Sequence, residues 1–357
     1  MPTPREQAGY LRWRTHLLGA REQFKPRTAA PLLAQETQGR SAPVAAALSV
    51  ADVAAEIAGL PANSLLGRSG DLEVYLARAI QIPNALRELG RLREITFRAA
   101  GEGTGKPLDI DEFDSHYLHL FVWNARTQEL VGAYRLAPTD VVRARHGVQG
   151  LYTATLFRYG DPFLDRMGPA LELGRSFVRQ EYQKGFAPLL LLWKGIGAFI
   201  GRNPKYKILF GPVSISNQYQ AVSRELMISF LERYALLRDW TGLLRNRHAF
   251  RERLLNGVRR PALPNAGFDI EDLSTVVSDI EQKQTAVPVL LRQYLRLGGK
   301  LLGFNVDPEF ANALDGLILV DLTKTEPKLL ERYLGKTEAT AFLAFQKGKM
   351  EQHNGTH

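Results

Sequence analysis

Charged residues interrupt two apolar segments of the chain, and these positions constrain the fold more than any other feature. Arg135 lies in the largely apolar segment 132–139, and Glu172 and Arg175 lie in the otherwise apolar segment 172–178. A charge in a half-buried strand costs free energy unless it is paired or used. We therefore expect a sheet whose charged positions, within the span 111–178, form an active site.

Gly174 stands between Glu172 and Arg175. Residues three apart in a regular strand face opposite sides, but a glycine in a strand often marks a bulge. A bulge at Gly174 would splay two strands and expose backbone N–H groups to a carbonyl oxygen, as acyl transfer requires. A structural ion pair is the alternative interpretation, and the residues alone leave both open.

Two aspartates lie just before the first predicted hairpin, and two histidines lie around its start. Asp111 and Asp114 suit the recognition and deprotonation of an amine, although aspartates in turns more often only accept hydrogen bonds from backbone amides. His119 is either a general base or a structural histidine. His116 lies three residues before it, but no third ligand follows at motif spacing, so we expect no metal site.

The composition limits the classes of binding partner but does not identify one of them. The chain has 357 residues, a net charge of +9 and no cysteine. This charge favours an acidic protein, an anionic membrane or nucleic acid, but no nucleic-acid-binding motif is present. The absence of cysteine excludes thiolate nucleophiles and cysteine-ligated metals, and it fits a reducing cytoplasm. No apolar run is long enough to span a bilayer.

Two further segments suit anionic partners. Lys184, Gly185 and Ala187 lie in a strand-to-helix turn, where backbone N–H groups favour a phosphate of an acyl donor. Seven arginines lie between residues 238 and 260, interleaved with apolar residues. They could dock an acidic carrier protein or anionic lipid, although a solvated basic helix face would look the same. The candidate contacts are Arg245, Arg247, Arg251 and Arg253.

The order of elements predicts an α/β fold with a mixed sheet flanked by helices. We expect an N-terminal helical extension and linker at 1–70, a compact domain at 71–340 and a tail at 341–357. Periodicity and turn signals predict helices at 83–100, 188–200, 218–237, 288–297 and 327–334. They predict strands at 117–123, 129–136, 171–179, 207–216, 300–305 and 317–322.

Four motifs carry a resemblance to a known family. They are Asp-Glu-Phe-Asp-x-His-x-x-His-Leu at 111–120, Glu-Leu-Gly-Arg-Ser at 172–176, Tyr-Leu-Arg-Leu-Gly at 294–298 and Asp-Pro-Glu-Phe at 307–310. Over residues 73–336 the chain resembles the GNAT-fold N-acyltransferases typified by ornithine–acyl carrier protein N-acyltransferases, a group that includes hemolysin-like bacterial proteins. It is more distantly similar to acyl-homoserine lactone synthases, through the same charged positions together with Arg93 and Phe97.

The resemblance implies transfer of a long-chain or 3-hydroxy fatty acyl group to the α-amine of ornithine or another amino acid, which gives a lyso-aminolipid. The donor would be acyl carrier protein, or acyl-CoA, with no permanently bound cofactor. The expected location is the cytoplasm, with the inner membrane face as a peripheral site. The N-terminal segment 10–18 also looks like the end of a glycerolipid acyltransferase domain.

The resemblance also suggests a role for each candidate residue. Glu172 would take the amine proton, directly or through water. Arg175 and Arg135 would orient the acidic residues or the carboxylate of the amino acid, and Asp111 and Asp114 would attract the amine. The candidate substrate-binding residues are Arg93, Phe97, His119, Arg135, Ser216 and Tyr219, and either of the last two could protonate the leaving thiolate. Two alternatives remain: an acyl-homoserine lactone synthase-like enzyme, which would require S-adenosylmethionine, and a non-catalytic lipid-binding protein.

Overall fold

The computed structural model describes residues 4–20, 41–185, 187–250, 263, 268–282 and 286–354. Within them, eight strands form one mixed sheet in the order β1-β2-β3-β4-β6-β7-β10-β9, and β5 and β8 form a separate ribbon. The strands are β1 Leu65–Ser69, β2 Leu72–Arg78, β3 Leu118–Asn124, β4 Glu129–Pro138, β5 Phe157–Tyr159, β6 Ala170–Val178, β7 Ile208–Ile215, β8 Leu244–Asn246, β9 Lys300–Asp307 and β10 Ala313–Asp321.

Helices cover both faces of the main sheet. In the described part of the chain they are α1 Pro4–Ala20, α2 Val50–Ala58, α3 Pro83–Ala99, α4 Thr139–His146, α5 Thr153–Leu156, α6 Asp161–Met167, α7 Ala187–Arg202, α8 Ala221–Phe230, α9 Ile270–Glu281, α10 Val289–Arg296, α11 Pro327–Leu334 and α12 Lys336–Asn354. Tyr134 of β4 packs with α7 in the largest apolar cluster, whereas its neighbour Ala133 packs with α2 and α3. Alternate residues of a strand face opposite sides, so these clusters lie on opposite faces of the sheet.

Helix α3 forms where the apolar spacing predicts it. Pro83 stands at its first turn, where the missing N–H costs nothing. Leu89 and Leu92 are buried on the predicted face, while Ile95, expected on the same face, is 40% exposed. Gly101 follows with a positive φ of 74°, a conformation that glycine adopts without strain.

Strands β6 and β7 open into a wedge. The two strands are parallel neighbours, but they pair with each other only where Ala170–Glu172 faces Ile208–Phe210. At this point a Cβ on Gly211 would lie 2.1 Å from the Leu173 carbonyl oxygen, so the two backbones are in close contact. Beyond Leu173 and Gly211, the continuations 174–178 and 212–215 no longer pair with each other and form the two sides of the wedge.

The bulge predicted in β6 is confirmed. Arg135 pairs with Gly174 and Ala133 pairs with Phe177, so one residue of β4 faces two residues of β6. The left-handed conformation falls on Arg175, with φ 48°, rather than on Gly174.

Most predicted elements are present within a few residues of their predicted ends. The helix predicted at 218–237 is shorter, because α8 ends at Phe230 and a five-residue π-helical segment, Leu231–Ala235, follows. Strands β1, β2, β5 and β8 and helices α4, α5, α6, α9 and α12 were not predicted from the sequence. Strand β1 lies before the predicted boundary at residue 71, and α12 runs through most of 341–357; the division into extension, domain and tail stays a prediction.

No helix in the described ranges is both long and apolar enough to cross a membrane.

Candidate active site

Glu172 is the centre of a buried hydrogen-bond network on β6. Its side chain accepts hydrogen bonds from the Tyr117 hydroxyl at 3.0 Å and from the Thr153 hydroxyl at 2.8 Å. Burial raises the pKa of Glu172 to about 7, although these hydrogen bonds and Arg135 act in the opposite direction. A carboxyl group that titrates near neutrality can accept a proton during turnover.

Asp114 joins two buried arginines. Arg93 Nη1 donates to it at 2.8 Å, and Arg135 Nη1 lies 3.2 Å from its other oxygen. Burial alone would raise the pKa of Asp114, but the two guanidinium groups lower it well below its usual range. Its carboxylate also accepts the Asp111 backbone N–H at 3.0 Å, which fixes the short 3₁₀ turn Glu112–Ser115. Asp114 is therefore a permanent anion that holds Arg93 and Arg135 in place.

Arg135 is fully buried beneath aromatic rings. Its guanidinium lies 5.0 Å from the Tyr117 ring centre and 5.3 Å from that of Tyr152, and it donates a hydrogen bond to Asp111. Such stacking stabilises a desolvated cation. Arg135 thus connects Asp111 to the aromatic residues around Glu172.

The bulge directs Arg175 to the same face as Glu172. Its Nε lies 3.1 Å from Asp109 and its Nη2 lies 3.4 Å from Asp111. The guanidinium also covers the Tyr152 ring at 4.7 Å, and Thr153, the next residue, binds Glu172. Burial opposes ionisation, but Asp109 and the other nearby acidic groups raise the pKa of Arg175 well above its usual value.

The remaining candidates on this face have structural contacts. The Nε2 atom of His119 lies 2.9 Å from the Asp114 carbonyl oxygen, and burial lowers the pKa of His119 to about 4, so it is neutral at pH 7. Phe97 packs edge-on against Phe310 at 5.0 Å. The structure therefore brings together Arg93, Phe97, Asp111, Asp114, His119, Arg135, Glu172 and Arg175.

Ser216 and Tyr219 follow β7 directly, and their hydroxyl groups are used elsewhere. Ser216 donates to the Ala100 carbonyl oxygen at 2.7 Å, and Tyr219 donates to the Ala286 carbonyl oxygen at 2.6 Å. Both residues follow β7, one of the two strands that form the wedge. Both hydroxyl groups donate to main-chain carbonyl oxygens.

A second carboxyl group lies on β10 and was not predicted. Burial and the neighbouring Asp307 raise the pKa of Asp315 to about 8. Ser214 of β7 donates to Asp315 at 2.7 Å, and Tyr152 donates to Asp307 at 2.8 Å. Tyr152 therefore connects this acidic group to Arg175.

The segments predicted to bind anions are exposed. Lys184, Gly185 and Ala187 lie on the surface where β6 leads into α7. A helix start offers unpaired backbone N–H groups to an anion. Arg245 and Arg247 are exposed at the β8 ribbon, and Arg247 donates to the Ala154 carbonyl oxygen at 2.8 Å, beside the Thr153 segment. Arg251 and Arg253 lie outside the described residues.

Four residues that complete this site were not predicted from the sequence: Asp109, Tyr117, Tyr152 and Thr153. Asp109 carried a usable signal, because it lies two residues before Asp111 in the same acidic segment. Tyr152 and Thr153 carried none, since their role depends on how the segment after α4 folds back over β6. Within the described ranges, no group of three or more His, Asp or Glu side chains is placed to hold a metal ion.

Comparison with known proteins identifies the family of this chain. Residues 92–194 match the family model described as an acetyltransferase (GNAT) domain, a span that includes the end of α3, the bulge and the start of α7. A glycine N(alpha)-acyltransferase of Bacteroides thetaiotaomicron is 33% identical over 271 residues, which cover 70% of this chain and 77% of that protein. The chain belongs to the GNAT N(alpha)-acyltransferase family.

Other relatives of this N(alpha)-acyltransferase carry two different substrate names. A glycine N(alpha)-acyltransferase of Phocaeicola vulgatus is 41% identical over 173 residues; the match spans 45% of this chain and about half, 53%, of the relative's length. An L-ornithine N(alpha)-acyltransferase of Rhizobium meliloti is 27% identical over 282 residues, 76% of this chain and 88% of that protein. The family inferred from the motifs is thus confirmed.

Among solved structures, a CoA-dependent acyl-homoserine lactone synthase, BjaI, matches with a TM-score of 0.37 and 14% identity. The match covers 73% of this N(alpha)-acyltransferase and 89% of that chain.

Proposed function

We propose that this N(alpha)-acyltransferase moves a long-chain or 3-hydroxy fatty acyl group from acyl carrier protein to the α-amine of an amino acid, giving a lyso-aminolipid. The observation that carries the proposal is Glu172. It is a carboxyl group only 2% exposed, with its pKa raised to about 7, and it lies where β6 begins to separate from β7.

Glu172 makes the amine a nucleophile in this proposal. A protonated amine cannot attack a thioester, so Glu172 accepts its proton, directly or through one water. The nitrogen then forms a bond to the thioester carbonyl carbon, and the carbon–sulfur bond breaks. Backbone N–H groups beside the bulge stabilise the oxyanion, at roughly 3–4 kcal/mol per donor. Ser216 or Tyr219 supplies the proton for the thiolate that leaves, once its hydroxyl group exchanges its main-chain carbonyl partner for the sulfur.

The arginine–aspartate network prepares the acceptor site. Asp111 retains 21% side-chain exposure, whereas Asp114 is buried, so Asp111 attracts the incoming amine and Asp114 positions Arg93 and Arg135. Arg175 retains 10% exposure and offers its guanidinium to the carboxylate of the amino acid. In this assignment Asp111 and Arg175 bind the substrate, and Asp114 positions the other arginines. All of these residues belong to one continuous set of ion pairs.

The exposed basic segments receive the donor. Lys184, Gly185 and the start of α7 at Ala187 bind the phosphate of the phosphopantetheine arm. Arg245 and Arg247, with Arg251 and Arg253, dock the acidic carrier protein or an anionic membrane surface that receives the lipid product. The net charge of +9 supports an anionic partner of this kind.

The acceptor is glycine, ornithine or another amino acid, as the names of the relatives suggest. The test is to incubate the purified protein with 3-hydroxypalmitoyl carrier protein and a pool of twenty amino acids plus ornithine, and to analyse the products by mass spectrometry. One new N-acyl amino acid mass would support the reaction and identify the acceptor. No product from folded protein, with a donor that a control acyltransferase consumes, would contradict it.

A further inference from the structure

The hairpin between β9 and β10 carries the Asp-Pro-Glu-Phe motif at 307–310, which the proposed mechanism does not use. The two strands pair as far as Asp307 and Ala313, so residues 308–312 form the hairpin tip. Two successive turns shape the tip. The Phe310 N–H donates to the Asp307 carbonyl oxygen at 3.2 Å, and the Ala313 N–H donates to the Phe310 carbonyl oxygen at 3.0 Å. Phe310 is therefore the residue that the two turns share.

The second turn is strained at Ala311. Ala311 and Asn312, its two central residues, have positive φ values of 53° and 54°. Turns with two left-handed central residues favour glycine, asparagine and aspartate, whereas the Cβ of alanine opposes this conformation. A strained conformation of this kind persists only where surrounding contacts hold it.

Asn217 makes these contacts from the segment that follows β7. Its Nδ2 atom donates to the Ala311 carbonyl oxygen at 3.0 Å and to the Asn312 carbonyl oxygen at 2.6 Å. Its Oδ1 atom accepts a hydrogen bond from Arg224 of α8. One side-chain amide thus joins the strained turn to a helix on the far side of β7.

The hairpin tip places Phe310 against the candidate active site. Phe310 is 5% exposed, and its ring centre lies 5.1 Å from the guanidinium carbon of Arg175 and 5.0 Å from the Phe97 ring. The same guanidinium lies 4.7 Å from the Tyr152 ring, and the Tyr152 hydroxyl donates to Asp307 at the start of the tip. Contacts with aromatic rings stabilise a desolvated guanidinium and orient its plane. The hairpin therefore acts on Arg175 directly through one ring and indirectly through the other.

We propose that residues 308–312 form one wall of the acceptor site and that Asn217 is a positioning residue for this wall. By fixing the strained pair Ala311 and Asn312, Asn217 keeps the Phe310 ring against Arg175. The guanidinium is then held in the orientation that binds the carboxylate of the acceptor. This inference rests on the proposed acyl transfer, and it names two residues outside the ion-pair network that control how tightly the acceptor binds.

Steady-state kinetics of Asn217→Ala test the positioning role, with the acceptor that the product screen identifies. The variant loses both hydrogen bonds to the strained turn, so KM for the acceptor should rise roughly fivefold. The value of kcat and the KM for the acyl donor should stay nearly unchanged. A loss of stability alone would lower the amount of active protein and hence kcat, without a selective increase in the acceptor KM.

Replacement of Ala311 provides a rescue. Ala311→Gly removes the Cβ that opposes the left-handed conformation, so the turn no longer needs the Asn217 amide. In the background of Ala311→Gly, Asn217→Ala should therefore raise the acceptor KM much less than it does in the natural chain.

Two single variants complete the set. Phe310→Leu keeps an apolar side chain but removes the ring, so it should also raise the acceptor KM selectively, and it covers the case in which Asn217→Ala does not fold. Asn203→Ala is the matched control, because the Asn203 side chain donates to the Phe199 carbonyl oxygen at 2.9 Å at the end of α7. It should leave the acceptor KM unchanged.

The outcomes separate this inference from the proposed function. An acceptor KM that is unchanged in both Asn217→Ala and Phe310→Leu, while acyl transfer proceeds, would overturn the inference alone. An increase in Asn217→Ala that persists in full with Ala311→Gly would overturn the role of Asn217 in holding the strained turn. If folded natural protein transfers no acyl group to any acceptor, the proposed function itself fails, and this inference fails with it.

Discussion

Glu172 and Arg175 lie on the same face of β6 although they are three residues apart in the strand. The bulge between Gly174 and Phe177 reverses the alternation, and Tyr152 and Thr153 contact the two side chains from one segment. The carboxyl group is buried and titrates near 7, whereas the guanidinium is fixed by Asp109 and Asp111. One strand thus brings both a carboxyl group with a pKa near 7 and a permanent cation to the opening of the wedge.

Thr153 should set the pH at which Glu172 becomes active. Its hydroxyl donates to Glu172 at 2.8 Å and stabilises the ionised form. Thr153→Val removes this donor with little change of shape, so the pKa of Glu172 should rise further above 7. The acid limb of the kcat/KM profile should then move to higher pH by about one unit. Thr153→Ser keeps the donor and should keep the profile of the natural chain; an unshifted limb in Thr153→Val would show that Thr153 has no such role.

Asp114→Asn should destabilise the fold. Asp114 pairs with Arg93 and Arg135, all three being buried, and loss of its charge leaves Arg93 without this carboxylate and Arg135 paired with Asp111 alone. Removing one partner of a buried pair costs about 3–5 kcal/mol. Urea unfolding followed by circular dichroism measures this loss.

The control for that measurement is an exposed ion pair. Arg126 and Asp71 are 72% and 53% exposed, so Arg126→Ala should leave the free energy of unfolding nearly unchanged. Equal losses in Asp114→Asn and Arg126→Ala would contradict the structural role of Asp114.

Asp315 should make the fold less stable as the pH rises. Its pKa is about 8 in the folded protein and near its ordinary value of 3.8 in an unfolded chain. Between these values the folded state holds the proton that the unfolded state has lost, so stability falls from pH 4 to pH 8. Asp315→Asn stays neutral and can still accept the Ser214 hydrogen bond, so this part of the decline should vanish. Thermal melting of both proteins from pH 5 to pH 9 tests this, and parallel declines would contradict it.

Arg245→Glu should weaken the use of a carrier-protein donor. Arg245 is exposed, so reversing its charge should raise KM for acyl carrier protein several-fold at low salt, with less effect at high salt. The donor titration is repeated at two salt concentrations. Lys328→Glu, an exposed charge reversal on α11, serves as the control. The same KM change in both variants would indicate a general charge effect instead of a docking site.

The sequence predicted the charged strand positions well because charges in apolar runs are a local signal. Arg135, Glu172 and Arg175 all lie in the sheet, as their surroundings predict. The glycine also indicated the bulge, but the left-handed residue is Arg175. Its conformation depends on Asp109 and Asp111, which are more than sixty residues away in sequence, so no local pattern could show it.

Other parts of the site depend on contacts that a single sequence does not display. Tyr117 and Thr153 come from separate segments and meet only at Glu172. Asp315 had a readable signal, since it stands in the apolar strand β10, but the strand was predicted only from residue 317. Strand β1 was missed because its outer residues are exposed and its sequence, which includes Gly67 and Arg68, lacks an apolar alternation.

The pH dependence of acyl transfer by the natural chain and by Glu172→Gln tests the central claim most directly. In the proposed mechanism the carboxylate is the active form of Glu172, so kcat/KM of the natural chain should rise through pH 7. Glutamine keeps the size of the side chain but accepts no proton, so turnover should fall by about 100-fold or more, and the limb near pH 7 should disappear. A folded Glu172→Gln protein that retains the activity and the pH profile of the natural chain would contradict the assignment of Glu172 as the group that activates the amine.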